Sequence, residues 1–341
     1  MKALVLTEYL RLEFLDVPAP TPGPEDVLVR VEACGICGSD VHGFDGSTGR
    51  RIPPIIMGHE AAGVVVEAGA GAGAWRPGDR VTFDSTVYCG KCPFCRAGRI
   101  NLCDDRRVLG VSCGEYRRDG AFAELAAVPQ RILHRLPDGV SFVHAAMTEP
   151  LAVAFHAVRR LPIAFDAAAV VVGAGMIGLL ALQALAQAGC RVVAAVDIDA
   201  RRRGRALALG AAAAVAPEQA EAEVRGATGG RGADIVIEAV GAAGTVALAA
   251  ALARKGGAVA LIGNVAPEVP LPLQTAVTRE LTLAGSCASA GEYPACLDLI
   301  ARGAVRLDPL LSAVAPLAEG AAWYARLREG AGDLMKVVLV P

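Results

Sequence analysis

The chain has 341 residues, long enough for two domains, and 54% of them are hydrophobic, enough to bury a sizeable core. Its formal net charge of −2 offers no basic field for a nucleic-acid or membrane-surface partner. The opening segment carries Glu8, Arg11 and Glu13 and lacks the uninterrupted apolar stretch of a signal peptide, so a cytoplasmic protein is expected.

Up to about residue 149 the pattern is β-rich. Short runs such as Val27–Val31, Gly63–Val66 and Arg80–Phe83 alternate with Gly, Pro and Asp turns. Two stretches in this part carry ligand chemistry: Cys34-Gly-Ile-Cys37-Gly-Ser39-Asp40-Val-His42 and Gly58-His59-Glu60. Either alone is more often structural, a buried cysteine or a histidine beside a glutamate. Ten cysteines are present, four of them between Cys89 and Cys103. Cys89, Cys92, Cys95 and Cys103 follow the spacing C-x2-C-x2-C-x7-C, and four thiolates on one short loop can close a tetrahedron around zinc. Such a closed site holds a lobe (89–103) together and leaves no position for chemistry. An iron–sulfur cluster or disulfides are the competing readings of the same spacing.

From about residue 150 the pattern changes to strand–helix alternation. Strands are expected at Ala169–Val172, Val192–Val196, Ile235–Glu238, Ala258–Ile262 and Leu281–Ala284, with helices such as Leu179–Ala188 and Ala200–Leu209 between them. That order predicts a doubly wound parallel sheet. The run 167–190 is free of charge and long enough to suggest a membrane span. Its β-branched start, glycine break and Ala/Leu-rich end fit a strand, a tight turn and a buried helix better. The break, Gly173-Ala-Gly175-Met176-Ile177-Gly178, is G-x-G-x-x-G directly after a strand and opening a helix, and a strand ending in Asp197 follows. Gly173 allows the turn, Gly175 admits a pyrophosphate against the backbone, and Gly178 lets helix and strand pack closely. Asp197 would accept hydrogen bonds from the adenosine ribose, which favours NAD over NADP; Arg201 to Arg203 would weaken that preference. The tail holds a helix candidate, Tyr293–Ala301, and a closing strand, Lys336–Val340.

Gly58-His59-Glu60-Ala-Ala-Gly63, with Gly69 and Ala72 after it, resembles the signature of the zinc-containing medium-chain alcohol dehydrogenases. The Cys37 segment, the four-cysteine lobe and the nucleotide fingerprint stand in that family's order, so the resemblance covers essentially the whole chain. It is closest to the sorbitol and polyol dehydrogenase branch, because Glu149-Pro150-Leu-Ala-Val153 stands where simple alcohol dehydrogenases place a cysteine ligand.

The resemblance implies an α/β fold. A chaperonin-10-like β-barrel catalytic domain is formed by residues 1–149 and 286–341, and a Rossmann-type nucleotide-binding domain by 150–285. It implies two zinc ions per chain and NAD. Cys37, His59 and Glu60 would ligate the catalytic zinc, with Glu149 as a fourth ligand or holding the zinc-bound water. The zinc would polarise the hydroxyl of a secondary alcohol while hydride passes to NAD. Ser39 matches the hydroxyl that takes the substrate proton, His42 the residue that relays it to solvent, and Asp40 a carboxylate that orients His59. Met176, Ile177, Arg202 and Val153 join the glycines and Asp197 on the cofactor. Phe44 and Phe122 would line the substrate pocket, with Asp45 adding polarity. A small-molecule alcohol is the expected substrate, and homo-dimers or homo-tetramers the expected assembly, with neither nucleic acid nor membrane as partner. Where sorbitol dehydrogenases carry an Arg-Tyr pair, this chain has Ala288 and Ser289, which speaks against sorbitol itself. A diol such as 2,3-butanediol, the 3-hydroxyl of L-threonine or a cyclitol are the alternative substrates. An inactive nucleotide-binding relative is the remaining reading, and the intact Cys37, Ser39, His59 and Glu60 argue against it.

Overall fold

A computed structural model describes residues 1–113, 116–330 and 333–341. It divides into two compact units, Met1–Glu149 with Ser289–Pro341, and Pro150–Ala288. The second boundary lies after 288 rather than 285, because the Ser286 amide donates to the Leu261 carbonyl and keeps the segment on the second unit's sheet.

The first unit is built on one long strand, Asp26–Gly35, that changes partners along its length. Its first half pairs with Leu125–Pro129, its end pairs with Lys336–Val340, and the Glu60–Ala68 strand runs antiparallel along its other edge. Arg80–Phe83 and Leu133–Arg135 extend the sheet on one side and Leu311–Pro316 on the other. Register irregularities between Leu28 and Val29 and between Val31 and Ala33 bend this strand, as bulges do, and help the sheet curl on itself. A smaller antiparallel sheet, Arg11–Asp16, Lys2–Glu8 and Ile55–Ile56, adjoins it. Alternating apolar residues from these strands meet in one core that includes Leu4, Leu6, Phe83 and Phe122.

The second unit is a six-stranded, wholly parallel sheet. In chain order its strands are Ala168–Val172, Arg191–Val196, Ala214–Val215, Ala233–Glu238, Ala253–Leu261 and Thr282–Gly285, arranged 3-2-1-4-5-6 in space. The chain reverses its direction of travel between the first and fourth strands, and ligands of such sheets bind beyond the carboxyl ends there. The fifth strand begins earlier than its apolar run suggests, since Arg254, Lys255, Gly256 and Gly257 carry polar character into it. The helix after the first strand opens at Met176, capped by Gly175, and is buried from Gly178 to Leu185. The uncharged run 167–190 is thus a strand and a helix, and no helix among the described residues is long and apolar enough to cross a membrane.

Candidate functional site

Three strands converge to build the first site. Antiparallel register sets Glu60 opposite Gly35, while Ile36 donates to the carbonyl of Val337 in the closing strand. Cys37 follows at once as the N-cap of the short Gly38–Gly43 helix, and His59 precedes Glu60. A Cβ at Gly35 would lie 2.3 Å from Glu60 Oε2, so only glycine leaves this carboxylate its place. One ligand atom each from Cys37, His59 and Glu60 lies within 4.8 Å of the others. His59 and Glu60 are buried, at 5% and 1% exposure, while Cys37 is half-buried.

The site's polar atoms fit a metal. His59 Nδ1 faces Asp40 Oδ2 at 3.3 Å, which leaves Nε2 as its free donor atom. Glu60 Oε2 receives Lys336 Nζ at 2.6 Å, whereas Glu60 Oε1 is buried without a hydrogen-bond partner. A thiolate, an imidazole and a carboxylate form a donor set suited to zinc. Burial would lower the His59 pKa, but the charges of Asp40 and Cys37 outweigh it and push it well above the ordinary value. Burial would likewise raise Asp40; His59 and Arg51 overcome it and hold the carboxyl well below the usual range. Burial also works against a charged Lys336, and the Glu60 carboxylate prevails.

Glu149 stands in the first turn of the Thr148–Arg159 helix, outside the three-residue cluster. Burial pushes its carboxyl up to about 7, with His59 opposing and Glu60 adding to the shift. Ser39 is exposed, and its hydroxyl donates to Cys37 Sγ at 3.3 Å. His42 is exposed one turn further along the same helix. Phe44 and Phe122 do not offer open pocket walls: at 8% and 0% exposure they pack in the first unit's core, and both rings contact Tyr324. The exposed Asp45 caps its own turn through the Ser47 amide. Ser289 is turned inward at 3% exposure and donates to Asp84 Oδ2 at 3.1 Å. Two functional side chains escape a reading of the sequence, Arg51 and Lys336. Each is the last cation before an apolar run, Arg51 following Arg50, and that was their only signal.

The four-cysteine loop forms a second cluster, with Cys89, Cys92, Cys95 and Cys103 sulfurs all within 4.8 Å of one another. Amides already point at the sulfurs: Cys89 N–H donates to Cys103 Sγ at 3.2 Å and Cys95 N–H to Cys92 Sγ at 3.4 Å. The amides of Lys91 and Cys92 pull the Cys89 thiol down to about 6. Four sulfurs so close cannot all ionise without a compensating cation, and a tetrahedral zinc satisfies all four.

In the second unit, Gly173 adopts φ +95° and closes the turn after the first strand. A Cβ on Gly178 would lie 1.8 Å from the Gly173 carbonyl oxygen, whereas one on Gly175 would meet open space. The backbone at Gly175 is therefore approachable, at the N-terminus of the twelve-residue Met176–Gln187 helix. Asp197 is 8% exposed; its Oδ2 accepts from Ala174 N–H and its Oδ1 from Asp199 N–H, each at 2.8 Å. Arg202 Nη1 lies 3.9 Å from Oδ2, and Arg203 is engaged with the carbonyls of Asp197 and Ile198. Val153, in the Thr148–Arg159 helix, is half-buried.

Residues 23–138 match the alcohol dehydrogenase GroES-like domain, and residues 177–302 match the zinc-binding dehydrogenase family. A sorbitol dehydrogenase of Halalkalibacterium halodurans is 34% identical, over 100% of this chain and 99% of its own. A structure described as a zinc-binding dehydrogenase from Sinorhizobium meliloti 1021 bound to NADP is 36% identical, with a TM-score of 0.91 over 100% of this chain and 99% of its own. The 2R,3R-butanediol dehydrogenase of Bacillus subtilis is 28% identical, with a TM-score of 0.90 over 100% and 99%.

Proposed function

Because this chain belongs to the zinc-containing medium-chain alcohol dehydrogenase family and is a zinc-dependent, NAD-linked enzyme, we propose that it oxidises one secondary hydroxyl of a polyol or related vicinal diol to a ketone. The observation that carries the reading is the Ser39 hydroxyl beside the Cys37–His59–Glu60 cluster, with Glu60 Oε1 buried and unpartnered. Zinc held there supplies Lewis acidity toward the substrate hydroxyl, and NAD supplies the hydride acceptor.

The chain's own groups do the rest. Cys37, His59 and Glu60 hold the metal, and Asp40 fixes the His59 tautomer so that Nε2 faces it. Glu149, half-buried and with its carboxyl pushed up to about 7, stands by as a further oxygen donor. Ser39 takes the substrate's hydroxyl proton, and His42, exposed on the same helical face, passes it to water. Gly173, Gly175 and Gly178 shape the pyrophosphate turn, with Met176 and Ile177 opening the helix over it. Asp197 binds the adenosine ribose, and Arg202 and Val153 complete the cofactor contacts. Cys89, Cys92, Cys95 and Cys103 hold the structural zinc.

Sorbitol is not the favoured polyol. Ser289 spends its hydroxyl on Asp84, and Ala288 has no polar group to offer a long chain of hydroxyls. A screen of polyols, vicinal diols and amino alcohols for NADH formation tests the proposal. Turnover of a vicinal substrate is expected, lost in Cys37→Ala and His59→Ala while NAD still binds. Retained turnover in either variant would place the chemistry elsewhere.

Self-association fits the second unit's edge. Thr282–Gly285 is its outermost strand, and Leu271, Leu273 and Val277 nearby are 49%, 63% and 65% exposed. A homo-dimer or homo-tetramer covering this edge follows from the hydrophobic effect. Cys34, Cys37, Cys89, Cys92, Cys95 and Cys103 are thiols outside any disulfide, which suits a cytoplasmic setting.

A further inference from the structure

We propose that Arg51 is a positioning residue that clamps the His59-orienting carboxylate and the Ser39 hydroxyl with a single guanidinium. The inference rests on the dehydrogenase reading above, because it gives Ser39 and His59 their roles.

Arg51 is 4% exposed, unusual for a residue whose charge is costly to bury. All three guanidinium nitrogens are engaged. Nε and Nη2 donate to Asp40 Oδ1 at 2.9 and 2.6 Å, Nη2 also reaches Ser39 Oγ at 3.4 Å, and Nη1 donates to the Arg50 carbonyl at 3.1 Å. Asp40, at 0% exposure, presents its other oxygen to His59 Nδ1 at 3.3 Å. One chain of contacts therefore runs Arg51–Asp40–His59 and a branch runs Arg51–Ser39–Cys37.

The backbone makes room for this arrangement. A Cβ on Gly43 would lie 2.6 Å from Arg51 Cγ, so the glycine that ends the Gly38–Gly43 helix clears the path of the arginine stem. Asp40 and Ser39 sit on that same helix and His59 does not. Arg51 lies between them in sequence; its fork grips the helix at Asp40 and Ser39, and Asp40 carries the contact on to His59.

Geometry explains why a guanidinium is needed. Asp40 must keep one oxygen on His59 and be held by the other, or the imidazole can rotate and choose its other tautomer. A hydroxyl that accepts from Arg51 keeps its second lone pair for the substrate's hydroxyl proton, with its own proton on the thiolate. A planar fork holds both partners in fixed directions, whereas an ammonium, a compact charge with freely rotating donors, can touch either but fixes neither.

The test uses the full-length zinc enzyme and compares Arg51→Ala with Arg51→Lys. Partners behind a metal ligand typically change affinity or activity by about 10–100-fold. In Arg51→Ala we expect kcat to fall at least about tenfold with KM changed by less than about threefold. We expect one of the two zincs to be stripped by a chelator about 10–100-fold faster, while the four-cysteine zinc is kept. Added guanidinium ion should restore much of kcat to Arg51→Ala and none to His59→Ala. Arg51→Lys keeps the charge and should fold, but should recover only part of both properties. The proposal is overturned if Arg51→Lys matches the unaltered enzyme in kcat and chelator sensitivity. A loss in a stably folded Arg51→Ala that guanidinium leaves untouched overturns it too. The chelator measurement needs no substrate, so an unaltered enzyme that oxidised no alcohol would refute the dehydrogenase reading and leave the zinc result to decide the clamp.

Discussion

Replacing Asp197 with Asn isolates the charge that we hold responsible for cofactor choice. The carboxylate is 6% exposed at the side chain, and backbone amides at 2.8 Å on each oxygen fix its direction. It therefore cannot swing aside from a ligand. With NAD it accepts from ribose hydroxyls, and a hydrogen bond to a charged group contributes about 1.5–3 kcal/mol. A 2′-phosphate at about 5 Å would be repelled by about 3 kcal/mol per unit of charge at an effective dielectric of about 20. Arg202, 3.9 Å from the same carboxylate but 43% exposed and screened by water, offsets only part of this. The unaltered enzyme should then prefer NAD over NADP by at least about tenfold in kcat/KM. Asp197→Asn keeps an acceptor for the Ala174 amide and gives up the one for the Asp199 amide, so the glycine turn keeps its partner at some cost in stability, and the preference should shrink chiefly through faster use of NADP. Steady-state kinetics with both cofactors decide it. Equal or better use of NADP by the unaltered enzyme would mean that Arg201 to Arg203 govern the choice, a real contest given the relative of known structure that holds NADP.

Cys92→Ser should release one of the two zincs and lower the melting temperature by several degrees, because a closed structural site contributes folding energy directly. Metal analysis with a thermal melt reads it, and a fully stable variant that kept both metals would contradict the assignment. His134, stacked on Tyr293 at 4.9 Å, is held by burial at about 4, below the unfolded value of about 6.5. Between those values the unfolded chain takes a proton that the folded one refuses, so stability should fall by about 2–3 kcal/mol as pH drops through this window. His134→Gln should blunt the fall in urea unfolding at about pH 7 and about pH 5, and an identical acid loss in the variant would place it in other groups. Lys336→Met should leave Glu60 without its buried cation, costing about 3–5 kcal/mol when the metal is absent. The gain in melting temperature on adding zinc should therefore be larger in Lys336→Met than in the unaltered chain; equal gains would show that Glu60 never turns to the metal.

The parts legible in the sequence were those whose chemistry sits in local order. The four cysteines share one short loop, and the glycine turn, its strand and its helix are contiguous, so spacing alone identifies both. Cys37 and Glu60 are far apart in sequence and meet only because the register sets Gly35 opposite Glu60. Resemblance to a family supplied that pairing, which no periodicity contains. The helix Tyr293–Ala301 and strand Lys336–Val340 were legible because apolar periodicity runs to their ends. The strand Ala253–Leu261 was half hidden, because Ala253 pairs with Ala233 ahead of a register irregularity that holds Arg254 and Lys255, where hydropathy predicts a loop. Phe44 and Phe122 show the opposite failure. An aromatic side chain serves a pocket or a core equally well, and only the fold decides that both pack on Tyr324.

Charge balance explains why Arg51 and Lys336 belong to the site although no motif marks them. Cys37, Glu60 and Asp40 supply three negative charges in a largely buried volume once the metal is bound. A dication alone would leave that set with one negative charge, which opposes the anionic character that develops on a substrate oxygen as its proton leaves. The two buried cations, each in direct contact with one of the carboxylates, reverse that sign. They do so on Asp40 Oδ1 and Glu60 Oε2, which leaves Asp40 Oδ2 to His59 and Glu60 Oε1 without a hydrogen-bond partner. The cost of burying an arginine and a lysine is thereby recovered in the electrostatics of the reacting centre rather than in folding stability, where such pairs contribute little net. A neutral replacement at either position should accordingly impair the chemistry beyond whatever it does to stability.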